Sequence, residues 1–237
     1  MTTAVGTTSD VQAMIDAMPA EGGYVRVPPG EYTGGSVSIV GKRSDNGPRA
    51  VIDMDGVWFS GEGYYLTIDS CKRLTIRGLR AQGFDMLIKG MWWSSIENVE
   101  VASHVYCGPG TTFSSAYWNS FIGGQIQRMI FHETLADPAN ANFYYNTTIH
   151  SAAGQGYVNN RDYSIEFRAN KNVKGLRFYG GDISYAAILD WKIGTNNTAG
   201  QIDCIGNGIY FDSGRDLQTL NQASPKRLIK WVDQYHW

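Results

Sequence analysis

The sequence predicts an all-β chain, a single-chain right-handed parallel β-helix with an N-terminal capping helix. Three observations carry this reading. Short apolar strands recur roughly 20 to 35 residues apart, and glycine, asparagine or serine punctuates them. From residue 50 to about 215, no segment shows a helical period.

The cap comes first. Ser9 and Gln12 have capping-box spacing, and Val11, Met14, Ile15 and Met18 fall on one helical stripe that Pro19 ends. Glu21-Gly22-Gly23 then turns the chain into a short strand, Tyr24-Val25-Arg26-Val27, stopped by Pro28-Pro29-Gly30. The repeat follows. Leu74–Arg80 superposes on Ser94–Glu100 at a shift of 20, and Phe121–Ile126 on Phe178–Ile183 at a shift of 57, or two turns, with Ile149-His150-Ser151 between them. A second series runs through Met86–Ile88, Val105–Cys107, Met129–Phe131, Ser164–Phe167, Ile188–Trp191 and Ile209–Phe211. Gly78, Asn98, Gly124, Ser151, Gly181 and Asn207 are the expected bends, where small residues or asparagine suit left-handed backbone. The competing fold is a β-sandwich with irregular loops. Residues 215–237 break the repeat. Ser224-Pro225 starts an expected helix with Leu228, Trp231, Val232 and Tyr235 on its apolar face. The chain thus divides into a cap and first strand (1–32), coils (33–214), and a C-terminal cap or oligomer contact (215–237).

Composition agrees with this and removes several function classes. With 43% hydrophobic and 18% charged residues the chain is not intrinsically disordered. A net charge of −2 gives no footprint for nucleic acid. No stretch reaches the roughly 18 apolar residues of a membrane span, and Met1–Ser9 has no signal-peptide pattern. Cys71, Cys107 and Cys204 are read as buried thiols. Asn146 and Asn196 match the glycosylation pattern by accident.

The chemistry of a glycoside hydrolase needs two carboxyl groups about 5–9.5 Å apart. Stacked coils supply such spacing, because equivalent residues on adjacent strands lie about 4.8 Å apart. Glu97 over Arg77 and Glu100 over Arg80 read as structural ion pairs, and Asp53 and Asp55 as solvated surface near the cap. At a shift of 24, Glu166 stacks on Asp190, and repulsion would raise one pKa as a general acid requires. Arg168 and Lys192 beside them offer a purely structural reading. Asp182 and Glu133 are reserves. The histidines show no metal spacing and no DxDxD calcium cluster is present, so no cofactor is expected. Phe131, Phe167 and Trp191 read as core. Trp92, Trp93, Trp118, Tyr144, Tyr145, Tyr163 and Tyr185 lie at bends or beside polar loops, as sugar-stacking rings or as rings buried between subunits. Residues 135–145 read as an excursion that can wall a groove.

The segment Asp10–Ala17, followed by Gly22-Gly23-Tyr24-Val25-Arg26-Val27-Pro28-Pro29-Gly30-Glu31-Tyr32, resembles the opening of pectate-lyase-like β-helix proteins. It is especially similar to bacteriophage tailspike and tail-fibre domains. The resemblance implies a homotrimeric virion tail protein, made in the host cytoplasm, whose partners are bacterial surface polysaccharide and other tail proteins. Hydrolysis of the glycan would run through Glu166 and Asp190, with Trp118, Tyr144, Tyr145, Tyr163 and Tyr185 as binding rings. The alternatives are a non-catalytic structural virion component, or a bacterial polysaccharide lyase or hydrolase of the same superfamily.

Overall fold

The computed structural model describes residues 4–43, 45, 49–113, 116–131, 139–140, 142–150, 163–167, 173–184, 189–193, 202–207, 210–211, 227–232 and 235–236. A helix over Thr8–Ala17 follows a strand over Ala4–Thr7. The helix is capped by Thr7 and Asp10, not Ser9 and Gln12: the Thr7 amide and hydroxyl both donate to the Asp10 carboxylate, at 2.8 and 2.9 Å. Those bonds hold the Asp10 carboxyl below its usual pKa. Ser9 lies inside the first turn of the helix and is not the residue that flanks it. Gln12 has a different task. Its side-chain amide donates to the Ser38 carbonyl (2.8 Å) and accepts from the Ser38 amide (2.7 Å). It therefore pairs with strand backbone in Val37–Val40 as a neighbouring strand would. Val11 and Ile15 close the core beneath it, both fully buried.

Beyond the helix, the chain winds as a right-handed parallel β-helix. One sheet runs through Gly23–Arg26, Ala50–Asp53, Leu74–Arg77, Ser95–Glu97, Ser120–Ile122, Phe143–Tyr145, Val173–Tyr179, Ile202–Asn207 and Arg227–Val232, each parallel to the next. The second sheet runs through Gly30–Thr33, Val57–Asp69, Arg80–Lys89, Glu100–Gly108, Gln125–Phe131 and onward. Its long strands bend at register shifts between Ser60 and Tyr64 and between Val101 and His104. Each such strand therefore supplies two faces, and a coil has three.

The expected shifts of 20 and 57 hold. Ile76 lies opposite Ile96, and Phe121, Tyr144 and Phe178 are successive neighbours. Their rings stack inside the coil at 4.7 and 4.4 Å, within 12° and 11° of parallel. Each such ring pair contributes about 0.5–1.5 kcal/mol beyond its buried area. Met86, Val105, Met129 and Ile165 form a second inward column. Cys71 and Cys107 are buried among these residues, and desolvation pushes their thiols up to about 11 and about 12; the side chain of Cys204 lies outside the described residues.

The bends follow one ladder: Gly78, Asn98, Gly123, Asn146 and Gly180 have φ of 76°, 50°, 63°, 50° and 64°. The asparagine side chains lie where a Cβ on the next coil would sit, Asn98 against Gly123 and Asn146 against Gly180, so a glycine above each asparagine lets its side chain keep this position. Asn146 is thus the bend residue of its coil in place of Ser151, which lies outside the described residues.

Three further expectations are corrected. Residues 227–232 and 235–236 are strands of a further coil, not a helix; Ile229 and Trp231 pair with Cys204 and Gly206. A parallel neighbour offering a full row of backbone partners outweighs the helical period. Tyr210 and Phe211 pair with Asp182 and Ile183, which moves the last member of the second series to the other half of the sheet. Glu166 lies opposite Lys192, a shift of 26 and not 24, so Asp190 is two residues from the expected register.

Candidate functional site

The corner where the second sheet passes back to the first is built of bulky residues in an unusual backbone state. Arg73, Trp93 and Trp118 stack on successive coils with φ of 56°, 47° and 52°. Left-handed backbone at a residue this large costs on the order of 1–3 kcal/mol and persists only where its surroundings impose it. Here the Arg73 amide donates to the Trp92 carbonyl and the Trp93 amide to the Tyr117 carbonyl, both at 3.0 Å. Behind them Ser94, Asn119 and Asn142 form a buried ladder. Asn119 Nδ2 donates to the Met91 carbonyl (2.7 Å) and to Asn142 Oδ1 (3.0 Å), while its Oδ1 accepts from the Ser94 amide (3.1 Å).

The consequence is that two indoles project from the surface. Trp93 and Trp118 are 40% and 47% exposed. Their centroids are 5.2 Å apart and their planes within 13°. That spacing is wider than full face-to-face contact, so the rings overlap like shingles and leave part of each face open. Lys72 Nζ sits 4.9 Å from the Trp93 centroid on the preceding coil. Trp92 instead turns onto Phe113, stacked at 4.3 Å.

Beside the indoles, Arg49, Ser94, Ser95, Glu97, Ser120 and Ile122 complete an open depression of about 270 Å³. Glu97 does not pair with Arg77, although the two are register neighbours. Arg77 takes Asp53 at 3.1 Å instead, and Glu97 accepts from Ser95 Oγ at 2.8 Å. Asp53 is therefore not solvated surface. The Tyr24 hydroxyl and then Arg77 hold its carboxyl below the usual range against the cost of its burial. The Arg80–Glu100 contact exists as expected, at 3.4 Å. The outward row of this sheet continues from Glu97 through Ile122, Tyr145 and Tyr179. Tyr145 and Tyr179 stack at 5.2 Å and 12°, and both are exposed.

Trp118 and Tyr145 thus stand where a ligand can reach them. Tyr144 does not: it is 1% exposed, in the core between Phe121 and Phe178, because side chains alternate across the strand. Asp182 starts the strand Asp182–Ser184, between Thr148 and Tyr210, on the second sheet. Glu166, Asp190 and Tyr163 lie on strands whose backbone register is described, while their side chains are outside the described residues, as are Glu133 and Tyr185 entirely. Reading from sequence missed Arg49 and Glu97 as site residues. The signal for Glu97 was present in Asp53, which sits 24 residues before Arg77 and competes for it.

A second polar cluster lies at the bend within the second sheet. Asp85 Oδ1 accepts from Ser103 Oγ (2.5 Å) and the His104 amide (3.0 Å) and lies 3.0 Å from His104 Nδ1. Burial opposes the charge on Asp85, but the hydrogen bonds from His104 and Ser103 outweigh it and keep the pKa low. The serine hydroxyl is spent on the carboxylate and not on the imidazole's far nitrogen, so this is not a nucleophile–base–acid relay.

No family model matches the sequence, and no curated protein matches it. Among solved structures, the A-module of the mannuronan C-5 epimerase AlgE4 from Azotobacter vinelandii is similar at 14% identity, over 97% of this chain and 92% of that one, with a TM-score of 0.30. A superposition this loose transfers no residue.

Proposed function

We propose that this chain binds polysaccharide on the first sheet and its corner, with Trp93 and Trp118 as the stacking surface. One observation carries the reading: two large apolar rings are held outward on a left-handed backbone that a buried hydrogen-bond ladder maintains. A structure that needed only to bury apolar area would turn these rings inward. Flat rings next to hydroxyls, one carboxylate and one guanidinium suit a saccharide, which presents an apolar ring face and a polar rim. The face holds Glu97 without a second free carboxylate among the described residues, so it supports recognition, not cleavage.

The finer reading is that of a bacteriophage tail protein, trimeric, taking bacterial surface polysaccharide as receptor. What supports it is the cap sequence of residues 9–32, and the outward apolar row Ile122, Tyr145 and Tyr179, part of which a trimer would cover. The test is a panel of capsular and O-antigen polysaccharides, assayed for binding and for the size of the products, with light scattering for the mass of the assembly. Binding without shortening is the expected result. A panel without a single binder would remove the reading, and a monomeric mass would remove the trimer.

A further inference from the structure

The depression beside the indoles has a polar layout more specific than a generic sugar platform. Glu97 offers a carboxylate whose described partner is the Ser95 hydroxyl alone, leaving acceptor sites open. Arg49 lines the same depression, and its described hydrogen bond is a long one, 3.4 Å, to Thr75 Oγ1. The two opposite charges form no ion pair with each other within 4.0 Å. Ile122, 41% exposed and opposite Glu97 on the next coil, and the open part of Trp118 line the same depression. One acceptor, one fork of donors and an apolar wall therefore converge on a space with room for one saccharide ring.

From this geometry we infer that the depression selects an N-acetylated amino sugar. The inference rests on the polysaccharide-binding reading above and deepens it. An acetamido group carries one N–H donor, one carbonyl acceptor and one methyl. The N–H meets Glu97, the carbonyl meets Arg49, and the methyl packs on Ile122 and Trp118. A plain hexose places one hydroxyl there, which lacks the acetamido group's separate donor and acceptor atoms, so it serves one charged group and leaves the other and the apolar wall without contact. A free amino sugar is a cation; it satisfies Glu97, meets repulsion from Arg49 and brings no methyl. Hydrogen bonds to charged groups are the stronger kind, so discrimination of roughly tenfold is the expected scale at this partly open site.

The experiment is saturation-transfer NMR on the full chain with N-acetylglucosamine, N-acetylgalactosamine and N-acetylmannosamine, each against glucose, galactose and mannose. The expected result is that at least one acetylated sugar receives saturation most strongly at its methyl protons and binds about tenfold better than its parent hexose. Glu97→Ala and Arg49→Met should each bring that ratio to within about twofold, with unchanged circular dichroism as the folding control. Equal binding of acetylated and parent sugars, lost together in Trp118→Ala, would overturn the acetamido assignment and leave the carbohydrate reading standing. Saturation of none of the six sugars, together with no binding across the polysaccharide panel, would overturn both.

Discussion

Replacing Asn119 by alanine tests what holds the tryptophan corner in place. Its side chain is 1% exposed and makes three hydrogen bonds: to the Met91 carbonyl, to Asn142 Oδ1 and from the Ser94 amide. Alanine removes all three and leaves the Ser94 amide unsatisfied inside the coil, while the Met91 carbonyl keeps the Tyr117 amide as a donor. Each lost bond counts for about 1 kcal/mol, and the orphaned buried amide adds about 1–3 kcal/mol; some recovery by relaxation brings the expected loss to about 3–5 kcal/mol. For a chain of this size that is roughly 10 °C in Tm. The assay is urea and thermal unfolding followed by near-ultraviolet circular dichroism, which also reports the Trp93–Trp118 stack. The stack's signal should weaken at temperatures where the far-ultraviolet signal is still native, because coils can loosen locally in a repeat architecture. A loss below about 1 kcal/mol with the indole signal intact would show that the ladder does not impose the corner.

Other perturbations have equally definite outcomes. Gly124→Ala places a Cβ against the Val99 backbone, 2.7 Å from its amide nitrogen, at a φ of 74°, and should cost about 2–4 kcal/mol in urea unfolding. Cys107, fully buried with its thiol pushed up to about 12, should resist iodoacetamide at pH 8 in the native protein and react once urea unfolds it. Asp85 has its pKa lowered in the folded state, so its contribution is present above the ordinary aspartate pKa and is lost as pH falls through the folded value. The stability gap between the wild type and Asp85→Asn should accordingly be constant near neutral pH and close below about pH 4; a gap that persists at low pH would contradict it.

The parts of the fold that were legible in the sequence are those fixed by one-residue detail. Phe121 and Phe178 announce the two-turn shift because phenylalanine, one further residue and a glycine pair recur intact, and the proline-rich cap turn is a local pattern. What stayed hidden obeys period two. Sliding a strand by two residues keeps every apolar side chain on its own face, so Ile165 fits Leu189 or Trp191 equally well by pattern, and only the wound chain chooses Trp191. Tyr144 and Tyr145 differ by one residue and hence by a whole face, which exposure at a bend could not reveal without the register to Phe121. The apolar spacing of Leu228, Trp231, Val232 and Tyr235 fits a helix, yet the open edge at Ile202–Asn207 recruits Arg227–Val232 as a strand. At the site, Trp118 and Tyr145 were legible as exposed rings. The backbone state that projects Trp93 and Trp118 was not, because tryptophan gives no local sign of a left-handed residue.

The most direct test of the central claim is titration calorimetry of a glycan that binds the wild type, repeated with Trp118→Ala and with Tyr64→Phe as a remote control. Loss of one stacking ring at an exposed site should weaken binding by about tenfold or more in Trp118→Ala, with the control unchanged and both proteins folded. Equal affinity for wild type and Trp118→Ala would contradict the account.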